Sequence, residues 1–312
     1  MLRRSVLIPL VVCLEVLLLV TSPVSLAIAA LAGAAARSTR PVRSLLVVLA
    51  YAAIELRLLS RMRHLRDDEW DTLPRDVLGT AYRALRAILD VRVALEEGSV
   101  DPEQLAATGR PLVVLARHCG PGDTLFVAWL LAVHYGLRLR VVLKSSLRLY
   151  PSIDLAAEHL PFCFVGAGGR RTRAGIKRLA ASMSAGDAFL LFPEGGNFTW
   201  PRWQRAVSKL IAAGNQLAAR VLRHSHTLPP HHGGATAALT GAQDANVLLL
   251  NHTAFTPDGR DRPWWQLPIH RTMTIRTTLV PSADVPREPA AIGEWLDDLW
   301  STVDDWVAGH AS

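Results

Sequence analysis

The chain has 312 residues, of which half are hydrophobic and 20% are charged, and its formal net charge is +7. This composition excludes a disordered chain, and three cysteines are too few for a disulfide framework. Residues 1–66 hold nine arginines, no lysine and two glutamates, which accounts for the whole positive excess. Because a nucleic-acid-binding protein would spread its charge over a folded face, we expect no nucleic-acid partner and contact with anionic lipid headgroups instead.

The N-terminal segment combines a long apolar run with flanking arginines. Within residues 5–36 the only charged residue is Glu15. The run is longer than the about 20 apolar residues that span a bilayer. Pro9 and Pro23 interrupt it and can kink or divide a helix. A second apolar stretch, 44–54, is shorter and predicts a re-entrant or interfacial helix.

We therefore expect two domains, a membrane-anchoring helical segment at 1–66 and a second domain at 67–312. A cleaved signal peptide and a buried soluble helix are the alternatives, but the apolar run is more than twice as long as a usual signal core. The basic cluster at 57–66 favours a location at the cell membrane with the second domain on the cytoplasmic face. One membrane pass and two passes both remain open.

Residues 67–312 alternate between short apolar runs and helical patterns. A polar linker is predicted at 67–76, followed by a helix at about 77–89. The predicted strands lie at 90–95, 111–116, 138–143, 161–165, 187–192, 246–251 and 272–279. Further helices are predicted at 124–135, 172–185, 203–222, 234–242 and 288–308, the last with its tryptophans packed in the core. This alternation predicts an α/β fold with a mostly parallel central sheet flanked by helices.

The first loop that could carry chemistry contains His118 and Asp123. A predicted strand ends near Ala116 and a helix begins at Thr124, so His118 lies at the carboxyl end of a strand, where open α/β sheets place ligands. The Gly-Pro-Gly turn between the two residues can bring Asp123 back toward His118. A carboxylate on one imidazole nitrogen fixes the tautomer and leaves the other nitrogen to act as a base. Asp123 also stands where a helix N-cap is expected.

Two further loops follow predicted strands. Glu194, Gly195 and Gly196 form a turn that offers a carboxylate and backbone N–H groups. Arg170 and Arg171 follow a glycine-rich loop at a predicted helix start, a natural place for an anion. Taken alone, these loops are equally explained as a plain turn and as a solvated basic helix start.

Together these motifs resemble those of the glycerophospholipid acyltransferase family, whose best-known members are the 1-acylglycerol-3-phosphate (lysophosphatidate) acyltransferases. The resemblance is carried by His118-x4-Asp123 after an apolar strand and by Phe192-Pro193-Glu194-Gly195 about 70 residues later. Arg170 and Arg171 resemble the block between these two motifs, and residues 228–233 resemble a later proline-rich block. An apolar N-terminal segment is also typical of the family.

The sequence departs from the family pattern at two places. Arg117 stands before the histidine, where the family usually has Asn or Ser. The block that begins at Glu194 continues with Gly195-Gly196-Asn197 and lacks the family's usual Gly-Thr-Arg or Gly-Thr-Asn. Arg117, Arg170, Arg171 and Arg202 are the candidates to replace the missing arginine.

The resemblance implies a membrane-bound O-acyltransferase. It would move an acyl chain from acyl-CoA or acyl carrier protein to the free hydroxyl of a lysophospholipid, with 1-acylglycerol-3-phosphate as the expected acceptor. His118 and Asp123 would form the catalytic base dyad, and Glu194, Gly195, Gly196, Arg170, Arg171 and Arg117 would bind substrate. The resemblance implies no cofactor and no metal, and the expected partners are acyl-CoA and membrane lipids.

Three alternatives remain. A thiol enzyme would use Cys119, which adjoins His118 in the sequence. A metal-dependent lipid hydrolase would use a histidine cluster at His224, His226, His231, His232 and His252, since imidazole is a common zinc ligand. A non-enzymatic membrane adaptor would keep the acyltransferase-like fold without the activity.

Overall fold

The computed structural model describes residues 2–120, 122–166, 169–214, 222, 226–255 and 267–310. The chain forms two compact units. The first comprises Met1–Arg92, Lys144–Pro161 and Pro263–Arg271, and the second comprises Val93–Leu143, Phe162–Arg262 and Thr272–Ser312. The predicted boundary after residue 66 concerns membrane anchoring and stays a prediction.

Helices and strands alternate along the described residues after an all-helical start. The helices are α1 (Leu2–Val20), α2 (Ser22–Ala35), α3 (Arg40–Met62), α4 (Leu73–Leu89), α5 (Pro102–Ala107), α6 (Asp123–Trp129), α7 (Pro151–Ala156), α8 (Arg170–Ala181), α9 (Trp200–Ala212), α10 (His232–Gly241) and α11 (Pro289–Gly309). The strands are β1 (Val91–Leu95), β2 (Leu112–Ala116), β3 (Arg138–Lys144), β4 (Phe162–Val165), β5 (Asp187–Leu191), β6 (Asn246–His252) and β7 (Arg271–Val280).

The first unit is built around α3, which packs against α1, α2 and α4. The outer surface of α1 and α2 is apolar, and its large side chains are 45–72% exposed: Val6, Leu10, Leu14, Val16, Leu17, Val20, Val24, Ile28 and Leu31. No helix among the described residues is both long and apolar enough to span a membrane by itself. The helices Arg4–Val20 and Ser22–Ala35 are long and apolar enough only when they are taken together, and the chain bends by 61° between them.

Two predictions for this region are wrong in their boundaries. The predicted interfacial helix at 44–54 is the middle of α3, a continuous helix of 23 residues. It continues past the apolar run because leucine, alanine and arginine are all strong helix formers. The predicted linker at 67–76 contains a short 3₁₀ turn, and α4 already begins at Leu73 with a proline in its first turn, where proline is well tolerated.

A seven-stranded sheet forms the centre of the second unit, in the order β1-β7-β6-β2-β5-β3-β4. Strand β2 runs parallel to β5 and to β6, β3 runs parallel to β5, and β7 is antiparallel to β6. Every residue of β2, β5 and β6 is buried. Continuous apolar runs are typical of parallel strands covered on both faces. The predicted α/β fold with a mostly parallel sheet and flanking helices is therefore confirmed.

The core of this unit lies between the sheet and a helical layer. Val113, Phe189 and Val247 of the sheet belong to one buried cluster with Leu296 and Trp300 of α11. The predicted core role of this last helix is confirmed. Because β2, β5 and β6 are parallel neighbours, their carboxyl ends lie at one edge of the sheet, and the segments that follow them meet there.

Candidate active site

His118 and Asp123 form a hydrogen-bonded pair just beyond the end of β2. The Nδ1 atom of His118 lies 3.1 Å from each carboxylate oxygen of Asp123. Gly122, at a φ of 94°, turns the chain into α6 so that Asp123, its first residue, faces back toward the imidazole. The imidazole is 20% exposed. Its Nε2 atom has no hydrogen-bond partner among the described residues.

The carboxylate of Asp123 is held from two sides. Besides His118, it accepts hydrogen bonds from the backbone N–H groups of Cys119 at 2.6 Å and Gly120 at 3.1 Å. Burial alone would raise the pKa of Asp123, but the hydrogen bonds from His118 and Gly120 outweigh it, and the pKa is lowered. The ionised carboxylate keeps the proton of His118 on Nδ1, so that Nε2 is the basic nitrogen.

Glu194 joins the loop after β5 to the loop after β2. Its Oε1 accepts the backbone N–H of His118 at 3.0 Å, and its Oε2 accepts that of Leu228 at 2.9 Å. The side chain is 2% exposed. Burial raises the pKa of Glu194 to about 7, although Arg117 and the two N–H donors lower it. The structure thus places this carboxylate against the backbone of the dyad loop, and direct contact with a substrate stays a prediction.

Arg117 and His252 form a buried layer behind the dyad loop. The guanidinium of Arg117 donates to the backbone carbonyls of His252 and His226, both at 2.9 Å. His252 Nε2 donates in return to the Arg117 carbonyl at 2.9 Å, and its Nδ1 accepts the N–H of Ala254 at 3.2 Å. Burial lowers the pKa of His252 to about 4, so the ring is neutral at physiological pH. The predicted contact of Arg117 with substrate stays a prediction, since its side chain is 2% exposed.

The sequence pattern does not predict this role of His252, and the histidine cluster suggests a metal ligand instead. His224 lies outside the described residues, and His232 pairs with Asp297 at 2.7 Å. Among the described residues, the group spaced to hold a metal is Cys119, Asp123 and His252, whose ligand atoms lie within 4.8 Å of one another. The hydrogen bonds already made by Asp123 and His252 account for their positions.

The thiol of Cys119 is buried inside this network. Its Sγ lies 3.8 Å from His252 Nδ1, and the residue is 8% exposed. Burial raises the pKa of Cys119 well above its usual range, despite the nearby charge of Arg117. Because the thiolate is the reactive form, this environment does not favour a cysteine nucleophile.

A basic pocket of about 580 Å³ adjoins the Glu194 loop. Three of its cations come from α9, where Arg202, Arg205 and Lys209 have the spacing of one helical face. The remaining lining residues are Glu194, Gly195, Gly196, Ala206, Leu210, Leu228, Pro229, Pro230, His231 and His232. We call this the α9 pocket. Its surplus of positive charge suits an anionic ligand.

The glycines of the Glu194 loop allow its close approach to the walls of the α9 pocket. Gly195 has a φ of 68°, and a Cβ there would lie 2.8 Å from Cδ2 of His231. A Cβ on Gly196 would lie 2.8 Å from Nη1 of Arg202. Arg202 itself donates to the carbonyl of Asn197 at 3.0 Å. A side chain at either glycine would therefore collide with His231 or Arg202 in the wall of the α9 pocket.

Arg170 and Arg171 are exposed at the first turn of α8 and are not among the residues that line the α9 pocket. The same helix lies close to α10, as a Cβ built on Gly233 of α10 would be 3.5 Å from Cδ of Arg173. The predicted binding of substrate by Arg170 and Arg171 stays a prediction.

Comparisons with known proteins give a family match and similar solved structures. A family model described as Acyltransferase matches residues 99–243, which include the dyad, Glu194 and the α9 pocket. One solved structure that resembles the chain is the 1-acyl-sn-glycerophosphate (LPA) acyltransferase PlsC from Thermotoga maritima, with a TM-score of 0.52 and 16% identity. The match covers 85% of this chain and 97% of that one. The comparison with curated proteins gave no match.

Proposed function

We propose that this chain, whose residues 99–243 match a family model described as Acyltransferase, transfers an acyl group from a thioester to the free hydroxyl of a lysophospholipid. The donor is acyl-CoA or acyl carrier protein, and the acceptor is 1-acylglycerol-3-phosphate. The observation that carries the proposal is the His118–Asp123 pair, whose Nδ1 is bound to a carboxylate while Nε2 has no partner among the described residues.

In this reaction His118 acts first as a base and then as an acid. Its Nε2 takes the proton of the acceptor hydroxyl while the oxygen attacks the thioester carbonyl carbon. The negatively charged Asp123 stabilises the imidazolium that forms. When the carbon–sulfur bond breaks, the thiolate leaves and takes up the proton from Nε2, and the new ester remains on the lipid.

The charge that develops on the carbonyl oxygen needs N–H donors. By sequence, the candidate donors are the backbone N–H groups of Gly120, Gly122, Gly195 and Gly196. The N–H of Gly120 already donates to Asp123, and that of Gly195 donates to the carbonyl of Phe192 at 3.0 Å. Within the described part of the chain, the N–H groups of Gly122 and Gly196 have no such acceptor. We propose these two as the oxyanion donors.

Glu194 serves in this scheme as a positioning residue. By holding the N–H of His118 it fixes the backbone from which the imidazole projects. The same carboxylate holds Leu228, which lines the α9 pocket. Glu194 thus supports both the base and the proposed acceptor pocket.

The α9 pocket is the proposed site of the acceptor phosphate. Arg202 has a guanidinium that suits the paired oxygens of a phosphate. Arg205 and Lys209 add charge on the same helical face. Arg202 would thereby replace the arginine that the family has in the block after Glu194.

Membrane association is part of the proposal, because acceptor and product both reside in a bilayer. The exposed apolar side chains of α1 and α2 suit insertion into lipid, and the net charge of residues 1–66 suits anionic headgroups. We place the protein at the cell membrane with its active site on the cytoplasmic face, where acyl thioesters are available. No cofactor besides the thioester co-substrate enters the scheme.

A panel of lysophospholipids with purified full-length protein and radiolabelled acyl-CoA tests this function. We expect diacyl product from the wild type with 1-acylglycerol-3-phosphate and from the matched variant His134→Ala, which removes an exposed histidine. His118→Ala should give none. Absence of product from the wild type with every acceptor, both here and in a repeat with acyl-loaded acyl carrier protein as the donor, would contradict the proposed function.

A further inference from the structure

A second basic pocket lies in the first unit and shares no lining residue with the α9 pocket. It has a volume of about 530 Å³. Its lining residues are Arg43, Arg83, Arg86, Ala87, Asp90, Arg92 and His270. We call it the arginine pocket. The acyl-transfer scheme makes no use of it.

The chain builds this pocket around the end of α4. Arg43 of α3 donates through Nη1 to the carbonyl of Ile88 at 2.7 Å. Asp90, the residue after α4, has a φ of 52°, and its carboxylate lies 2.8 Å from Nδ1 of His270, with which it forms a hydrogen bond. Arg92 Nη2 lies 3.7 Å from the other oxygen of Asp90. Several of the lining side chains therefore have defined partners and positions.

The charges of the arginine pocket do not cancel. Four guanidinium groups face a single carboxylate, Asp90. The hydrogen bond from His270 and the charges of Arg92 and Arg43 lower the pKa of Asp90, so it is ionised at neutral pH. Without His270, these five side chains carry a net charge of +3. Helix-end electrostatics account for a cation such as Arg86 in the last turn of α4, but not for the gathering of four.

The ligand chemistry that fits this surplus is a phosphate. Guanidinium forks bind phosphate oxygens in pairs, and Arg83 and Arg92 are exposed at the pocket. The same unit presents the apolar outer surface of α1 and α2. A tight turn, in which the N–H of Ser38 donates to the carbonyl of Gly33 at 2.9 Å, joins α2 to the helix that carries Arg43. Apolar helices beside basic side chains are the usual combination of a membrane-surface site.

We propose that the arginine pocket binds the phosphate of an anionic phospholipid headgroup. It is a headgroup site of the first unit, separate from the acceptor site. The inference rests on the proposed membrane association and is independent of the acyl-transfer chemistry.

Vesicle flotation of the full-length protein tests this site. We compare vesicles of phosphatidylcholine alone with vesicles that also contain phosphatidylglycerol. The pocket variant is Arg83→Gln/Arg92→Gln, and the control is Arg75→Gln/Arg287→Gln, which removes the same charge from exposed arginines outside the pocket. We expect the wild type to prefer the anionic vesicles, and the pocket variant to bind them about tenfold more weakly than the control.

Equal losses in the two double variants would reduce the effect to general surface charge and overturn the inference. A wild type without preference for anionic vesicles would overturn it as well. Calorimetric titration with glycerol 3-phosphate in the absence of lipid separates the two phosphate sources. Binding of glycerol 3-phosphate that is tighter than binding to the anionic vesicles, and that the pocket variant loses, would assign the pocket to a soluble phosphate and would contradict a lipid headgroup.

Acyl transfer in neutral detergent micelles separates this inference from the proposed function. The pocket variant should keep the wild-type rate there, because the pocket takes no part in the chemistry. A rate that falls only in the pocket variant would contradict a separate headgroup site. A wild type without acyl transfer would contradict the proposed function and leave the flotation result standing.

Discussion

The backbone N–H of His118 donates to Oε1 of Glu194 over 3.0 Å, although the two residues are 76 positions apart in the chain. This bond joins the loops that follow two neighbouring parallel strands, β2 and β5. It places the His118–Asp123 pair and the Glu194 carboxylate in one site at the carboxyl edge of the sheet.

Asp123→Asn should lower kcat by about 10²–10⁴-fold, because an amide can donate to Nδ1 and so favour the wrong imidazole tautomer. Steady-state acyl transfer at saturating acceptor measures this. The matched change Asp244→Asn, at an exposed position, should leave kcat unchanged. A kcat for Asp123→Asn within a factor of about two of the wild type would exclude an orienting role for the carboxylate.

Glu194 should make folding stability depend on pH. Its pKa is raised from the ordinary 4.5 to about 7 in the folded protein, so the folded state binds more protons than the unfolded state between these values. The contribution of Glu194 to the free energy of unfolding therefore falls by about 3 kcal/mol as pH rises through this window. Denaturant unfolding at pH 5 and pH 8 should show this fall in the wild type relative to Glu194→Gln. Parallel pH dependences in the two proteins would show that the carboxylate does not titrate in this range.

Arg202→Ala should raise KM for 1-acylglycerol-3-phosphate by about 10–100-fold and should change kcat little. This increase corresponds to the free energy of one charge-assisted hydrogen bond. The control Arg178→Ala removes an exposed arginine from α8 and should leave both constants unchanged. An unchanged KM for Arg202→Ala would remove the α9 pocket from acceptor binding.

Gly195→Ala should destabilise the protein more than Gly214→Ala. Both glycines have a positive φ, 68° and 62°, so each alanine costs about 1–2 kcal/mol of backbone strain. At Gly195 the new Cβ would also lie 2.8 Å from Cδ2 of His231, whereas at Gly214 no atom of the described residues would lie within 4 Å of it. Urea unfolding compares the two losses. Equal losses would show that His231 does not pack against the Glu194 loop.

The contact between His118 and Asp123 could be predicted from sequence, because it depends on five consecutive peptide units and a Gly-Pro-Gly turn. The strands were also predictable, since β2 is an unbroken apolar run and β5 and β6 each contain four consecutive apolar residues. The meeting of Glu194 with His118 depends on strand order, which local pattern does not encode. Only the family resemblance pointed to it.

The inward position of Arg117 and the role of His252 could not be predicted. When only the neighbours in sequence are known, an arginine beside a histidine that is expected to be catalytic is predicted to bind substrate. Its guanidinium instead binds the carbonyls of His226 and His252, more than 100 residues away. These partners come from β6 and the segment before α10, and their arrangement is set by tertiary packing.

A double-mutant cycle on the dyad tests the central claim most directly. Acyl transfer to 1-acylglycerol-3-phosphate is measured for the wild type, His118→Ala, Asp123→Ala and the combined variant. If Asp123 acts through His118, each single change lowers the rate and the combined variant is no slower than His118→Ala. Losses that multiply in the combined variant, or a wild-type rate for His118→Ala, would contradict a catalytic base built from these two residues.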